Sequence, residues 1–383
     1  MQRIQILTSV VLLALQLHVQ SVFASDSEGF ISAPVHHVGR SFNLGNLTAR
    51  AEHPAKGHHR HHRNPGHQAH HPIPSKGASF PATIPVKQID APIHWTWVAE
   101  VEAGGSKLNL ALDAQFTDLV VNAGAYKPSA TAKKGADFKV ERSSAEVAVG
   151  KQFKDHVAMS GFSLNDFDIG LADKKWYQGA DGLLGFAFDW KSEVNGENEP
   201  LPVALQLAGA IKESTMGLAL WRNSDKAGIT LGGRDPSKFK GPIEEIWIPK
   251  GFPFWSTLGK LGGVDVVFTL DTQRRVINAP RSVAASIFKN AGLETFTDKS
   301  GFLLAKFDCK SPMPIFIELG KVKVPVAPMP EWKAPDGKCI VPIAGVDADV
   351  LPNGDIMAGA AFFENLYIEL SWQKGTVAYA ARA

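Results

Sequence analysis

The sequence has 383 residues, 44% hydrophobic and 20% charged, with two Cys and nine Trp, a composition that excludes collagen-like, disordered and disulfide-scaffold chains. Its formal charge of +2 is too balanced for a nucleic-acid groove or an anionic membrane surface to be the main partner. The charge is uneven: ten of the 13 His lie between His36 and His71, and residues 25–83 carry six Lys or Arg against three Asp or Glu, which leaves residues 84–383 at −2.

In chain order, residues 1–24 read first as a secretory signal peptide. Met1 to Arg3 gives a positive start, Val10 to Leu17 an apolar run broken at Gln16, and Val22 and Ala24 sit at the −3 and −1 positions of a cleavage site. A membrane anchor needs roughly 18 apolar residues, and neither this run nor any later segment reaches that length. The expectation is a secreted, extracellular protein, in which a disulfide between Cys309 and Cys339 is chemically permitted.

Residues 25–83 form a His-rich pro-segment or linker. From His53 to Pro74 there is almost nothing apolar, so burial cannot offset chain entropy and the segment is expected to be disordered. Its histidines have two readings: a metal-binding tract, or a basic segment whose charge rises below about pH 6.5. Asn46-Leu47-Thr48, a glycosylation sequon, lies here.

From Ile84 onward, short apolar or alternating runs separated by Gly and Pro predict many strands. The clearest are Trp97 to Val101, Leu108 to Leu112, Leu119 to Val121, Phe138 to Val140, Ile229 to Leu231, Val264 to Leu270, Ile315 to Leu319 and Leu366 to Leu370. Two helices are expected. Pro280 followed by Val283, Ile287, Ala291 and Gly292 has helical spacing with Pro at the start and Gly past the end, and Pro202 to Ala210 is a shorter candidate. So many strands suggest two lobes, divided as 84–245 and 246–383. A weak repeat supports the division: Leu112-Asp113-Ala114-Gln115 and Leu270-Asp271-Thr272-Gln273 each follow an apolar strand, and Gly182-Leu183-Leu184-Gly185 and Ile356-Met357-Ala358-Gly359 come later in each half.

These aspartates and the landmarks after them resemble the pepsin-like aspartic proteases, fungal secreted members in particular, over nearly all of residues 92–383. Asp181-Gly182-Leu183-Leu184-Gly185 is similar to that family's Asp-Gly-Ile-Leu-Gly, and Leu231-Gly232-Gly233-Arg234-Asp235 to its Leu-Gly-Gly-x-Asp. Trp255 stands where an aromatic enters the second lobe, and Gly359 to Tyr367 resembles Gly-Asp-x-Phe-Leu-Arg-Asn-x-Tyr. The resemblance implies an all-β, bilobal fold with few short helices, a central interlobe cleft and a Cys309–Cys339 disulfide. It also implies a catalytic dyad, Asp113 and Asp271, that shares one proton because like charges about 3 Å apart cannot both ionise cheaply.

The surroundings of that dyad depart from the Asp-Thr-Gly-Ser/Thr pattern. The first loop has Ala114, Gln115 and Phe116 after the aspartate, and the second has Thr272, Gln273 and Arg274. Both glycines have become Gln, which places a Cβ and an amide close to the dyad. Arg274 either points inward and lowers the carboxylate pKa values or swings out to solvent with Arg275. Counted back from Asp155, the position of the flap Tyr is Arg142, and the turn is Arg142-Ser143-Ser144-Ala145-Glu146. Other catalytic inventories are missing. No GxSxG, HExxH, GxGxxG, P-loop or CxxC occurs, and His94 and His156, the histidines after residue 83, fall at strand-like positions.

Three functions stay open. In the first, a pseudoprotease homologue acts as a monomer through a cleft that binds a peptide or protein, without metal or cofactor. The second is an atypical aspartic endopeptidase using Asp113 and Asp271. The third is a non-catalytic extracellular binding protein presenting aromatics such as Trp190, Trp247 or Trp332.

Overall fold

The computed structural model describes residues 81–383 except 91–94, 144–145, 189–191, 195–198, 253, 348–350 and 352–353. The expected signal peptide, the His-rich tract, Asn46, His94 and Trp190 lie outside the described residues. The first strand, Ala82–Asp90, begins two residues inside the segment expected to end at 83.

Strands dominate, with three short helices among the described residues. Long runs alternate: Glu146–Met159 places Ala148, Val157 and Met159 inward between exposed or half-buried neighbours, the signature of a sheet with one wet face. Short central strands such as Leu119–Val121 are buried throughout because a neighbouring strand or sheet covers both faces. The helix Arg281–Asn290 buries Ala284, Ile287 and Phe288, and Gly292, at φ +64°, turns the chain out of it. The shorter helix, Leu201–Leu207, starts one residue before the expected segment and ends three residues before its close.

The two halves repeat one topology. Ser106–Asp113 lies parallel to Gly182–Gly185, which is itself antiparallel to Leu119–Val121. Val264–Leu270 likewise lies parallel to Ile356–Ala358, which is antiparallel to Ile277–Pro280. In each half the chain passes through an aspartate at the end of the first strand, turns, and leaves on the far side of a later inserted strand. Sequence-distant residues therefore fix where each aspartate stands.

An antiparallel platform of six strands joins the halves, in the order Phe239–Trp247, Thr376–Arg382, Leu366–Ser371, Thr215–Ala219, Gly228–Leu231 and Ala82–Asp90. The expected division at 245/246 falls inside the first of these strands. Ala82–Asp90 serves two sheets, pairing with Gly228–Leu231 through residues 82–85 and with Trp95–Ala103 through residues 86–90. Trp255, fully buried, donates its indole N–H to the Phe186 carbonyl at 2.7 Å, and Trp372 donates to Ala187 at 2.9 Å. Their rings meet edge-on at 4.7 Å, so both polar handles are satisfied while the ring bodies fill the junction.

Cys309 and Cys339 form a disulfide, with Cα atoms 5.0 Å apart across a sequence separation of 30. Replacing both by Ser is expected to cost roughly 3 to 4 kcal/mol through restored freedom of the unfolded loop, measured by denaturant unfolding.

Asp355 is buried beside the inserted strand of the second half, with Thr269 Oγ1 donating to it at 3.2 Å. Burial pushes its carboxyl up from 3.8 to about 7, so it is protonated in the fold and ionises on unfolding. The stability it contributes is full below about pH 4 and is lost as pH rises through about 7. Between those values the parent should lose roughly 2 to 4 kcal/mol relative to Asp355→Asn, measured by unfolding at several pH values.

Candidate active site

Asp113 ends its strand fully buried, and Asp271 follows its own strand at 5% exposure. Each carboxylate first engages its own loop: the Gln115 N–H donates to Asp113 Oδ1 and the Gln273 N–H to Asp271 Oδ1, both at 2.9 Å. Short polar side chains take such local bonds readily in turns. The loops are backed by the inserted strands. A Cβ on Gly185 would collide with the Phe116 carbonyl, and one on Gly359 with the carbonyls of Val276 and Arg274. These two glycines are required by close backbone approach.

A polar clasp ties the loops together. Thr272 Oγ1 donates to the Leu112 carbonyl at 2.7 Å and accepts from the Ala114 N–H at 3.1 Å. Ala114 cannot return that contact from the first loop. The two glutamines at the former glycine positions supply a crossed pair in its place. Gln273 Nε2 donates to the Leu112 carbonyl at 2.6 Å and to Thr96 Oγ1 at 3.0 Å, while Gln115 Nε2 reaches the Leu270 carbonyl at 3.4 Å. Gln273 Oε1 accepts from the Tyr177 hydroxyl at 2.5 Å. Tyr177 is fully buried, and burial pushes its hydroxyl well above the ordinary value, so it stays a donor.

Each aspartate also meets an arginine. Arg274 points inward at 6% exposure, and its Nε donates to Asp271 Oδ2 at 2.7 Å. Arg275 instead reaches Glu331 at 2.9 Å. Arg142, one residue before the end of the strand Lys133–Ser143, places Nη2 2.6 Å from Asp113 Oδ2 and Nη1 3.0 Å from Glu146 Oε2 on the facing strand. The contact with Asp113 is an ion pair out of line for a hydrogen bond. The expectation that Arg274 would depress both carboxylates does not hold at Asp113. Burial pushes that carboxyl up, Asp271 and Glu146 add to the shift, and Arg142 with the Gln115 N–H opposes it without prevailing. Arg142, which desolvation alone would pull down, is held protonated by Asp113 and then Glu146.

Among the other sequence candidates, Phe116 is buried in an apolar cluster with Val120, Phe138, Tyr177 and Leu183, so its ring leaves the dyad for the core. His156 sits in the strand Glu146–Met159. Trp247 is half exposed on an edge strand of the platform, and Trp332 is half-buried. Two residues escape sequence reasoning. Tyr177 lies in a polar stretch with no periodicity, and Asp118, fully buried, accepts from Ser192 Oγ at 2.6 Å and from the Glu193 N–H at 2.8 Å. For Asp118 the one available signal was a second acid five residues after Asp113, and Tyr177 offered none. Among the described residues, no group of three or more His, Cys, Asp or Glu is placed to hold a metal ion.

Gln273→Ala should cost about 2 to 4 kcal/mol, because it removes the acceptor of the buried Tyr177 hydroxyl and the amide donor to Thr96 Oγ1 and the Leu112 carbonyl. Tyr177→Phe should cost less in the Gln273→Ala background than in the parent, a non-additivity read from a double-mutant cycle of unfolding free energies.

Known proteins are similar to this chain in sequence and in fold. Residues 95–382 match the family model described as eukaryotic aspartyl protease. The chain is 25% identical over 291 residues to secreted aspartyl protease 1 of Malassezia globosa, covering 74% of this chain and 73% of that protein. It is 24% identical over 313 residues to rhizopuspepsin of Rhizopus chinensis, covering 75% and 78%. Its fold superposes on an aspartic proteinase from Irpex lacteus with a TM-score of 0.66 and 16% identity, covering 79% of this chain and 97% of that one. Two halves that each bring one aspartate to a shared clasp, together with a family match over most of the chain, place this chain in the eukaryotic aspartyl protease family.

Proposed function

We propose that the protein is a secreted, monomeric member of this family that has lost peptide hydrolysis and uses its interlobe cleft to bind a peptide or protein. The observation that carries this reading is the occupancy of the dyad. Both Oδ1 atoms accept loop N–H groups, and both Oδ2 atoms face guanidinium nitrogens at 2.6 and 2.7 Å. Hydrolysis of this type needs a water between the carboxylates, one oxygen to take its proton and a protonated partner to charge the carbonyl. Arg142 takes up the approach to Asp113, and a guanidinium cannot act as the base because it stays protonated. Secretion rests on the signal-like residues 1–24 and on the relatives named secreted aspartyl protease.

One observation favours the competing reading of an atypical endopeptidase. Burial lifts the Asp113 carboxyl, so one acid holds its proton more tightly than a free carboxylate. The two readings separate in a cleavage assay on a denatured protein between about pH 2.5 and 7, with and without a transition-state-mimicking aspartic-protease inhibitor. The expected outcome is no inhibitor-sensitive cleavage and identical behaviour of Asp113→Asn. Turnover by the parent that vanishes in Asp113→Asn would establish the endopeptidase.

A further inference from the structure

Three of the partly buried arginines in this fold each hold two acids. Arg142 lies between Asp113 and Glu146, Arg222 between Glu331 and Glu364, and Arg234 between Glu245 and Glu369. A guanidinium carries five N–H groups in a planar fork, and two carboxylates on one head use most of them where water is scarce.

Arg274 departs from this pattern. Its side chain is 7% exposed, against 12% for Arg142 and 13% for Arg222, so it has the least water of the set. Its one side-chain hydrogen bond among the described residues runs from Nε to Asp271 Oδ2 at 2.7 Å. Neither Nη1 nor Nη2 has a partner there, yet neither is sealed from solvent. Covalent geometry fixes where they stand: each Nη lies about 2.3 Å from Nε, and so within about 5 Å of Asp271 Oδ2. Four N–H groups on a buried cation therefore face accessible space beside the dyad. The loop cannot carry them away easily. The Arg274 carbonyl accepts from the Ala360 N–H at 2.8 Å, and Thr272 and Gln273 are bonded across to the Leu112 carbonyl.

We infer that Arg274 is a carboxylate receptor: its two Nη groups take a carboxylate of a peptide in the cleft, from the C-terminus or from an Asp or Glu side chain, as a second acid beside Asp271. The chemistry follows from the donors. Parallel N–H groups match the two oxygens of a carboxylate, and such charge-assisted bonds are roughly twice as strong as those to a neutral carbonyl. Two acids flanking one guanidinium is an arrangement this centre already contains at Arg142. Asp113 and Glu146 answer to that arginine, so repulsion of an incoming anion comes chiefly from Asp271, which the shared guanidinium offsets. A receptor held in place by its loop also spends little on ordering when it binds. The inference rests on the cleft-binding reading for the peptide, but a small carboxylate should bind Arg274 without one.

Nuclear magnetic resonance of the full chain labelled with [15N]arginine tests it. The Arg274 Nε–H signal is assigned by correlation to its own backbone amide and checked by its loss in Arg274→Lys. At about pH 6, where acetate is ionised, acetate should shift this signal saturably and acetamide should not. Calorimetry then compares three eight-residue peptides of one neutral sequence, all N-terminally acetylated: a free C-terminal carboxylate, a C-terminal amide, and the amide with a central Glu. One of the two carboxylate forms should bind at least about tenfold tighter than the plain amide, and which one does so names the source of the carboxylate. Arg274→Lys, which keeps the charge and loses the fork, should bring the three affinities within about threefold of one another. No saturable response to acetate at Arg274, or an equal response to acetamide, would overturn the receptor, and equal affinity of the parent for all three peptides would do the same. If Arg274→Lys does not fold, the acetate and acetamide titrations and the peptide ranking of the parent decide. An acetate response with no binding of any peptide would keep the receptor and sink the cleft-binding reading.

Discussion

Everything at the centre of this molecule depends on two loops being held within hydrogen-bonding reach of one backbone carbonyl, that of Leu112. Thr272 and Gln273 from the second half both donate to it, and their own positions follow from Gly359 allowing the inserted strand to press against Arg274 and Val276. The buried indoles of Trp255 and Trp372, anchored on successive carbonyls, keep the junction from hinging around that point. Such a junction is insensitive to the charge state of the aspartates, because the donors that maintain it are hydroxyl, amide and indole groups that carry no charge.

Two carboxylates in so dry a place pose an electrostatic problem that the sequence answers locally. Where the resemblance implies a shared proton, this chain places cations, one from within the second loop and one from the strand Lys133–Ser143. A buried pair of this kind adds little net stability against an apolar alternative, yet removing one partner is costly. The arginines and aspartates are therefore mutually dependent, and the aspartates can persist for reasons unrelated to hydrolysis.

Much of the scaffold was legible in the sequence. Val264 to Leu270 and Leu119 to Val121 were found to the residue because β-branched and apolar runs bounded by turns have few other uses, and Pro280 with Gly292 marked a helix at both ends. The two aspartates stood out through repeated context. Partner choice was not legible. Whether Arg274 turned inward depended on the strand behind it, and the reach of Arg142 to Asp113 spans two strands far apart in sequence. Gln115 and Gln273 read as losses because a missing glycine is visible in a sequence, while an amide crossing to the other half is not. The depression expected at the dyad failed at Asp113 for a related reason: burial, which outweighs the neighbouring cation, is a property of the assembled fold.

The platform has a consequence for how the chain reaches this state. Thr215–Ala219 lies against Leu366–Ser371, with Leu218 opposite Ile368 some 150 residues later, and the first described strand closes on Gly228–Leu231. A ribosome delivering the chain in order would release the first half well before the strand that covers its flank exists. Until then that flank presents unpaired backbone and the apolar faces of Met216 and Leu218, the kind of surface that draws aggregation or a chaperone. Pairings of such long range close slowly, so completion of the fold belongs to the period after synthesis, and the first half waits for the last strands to arrive.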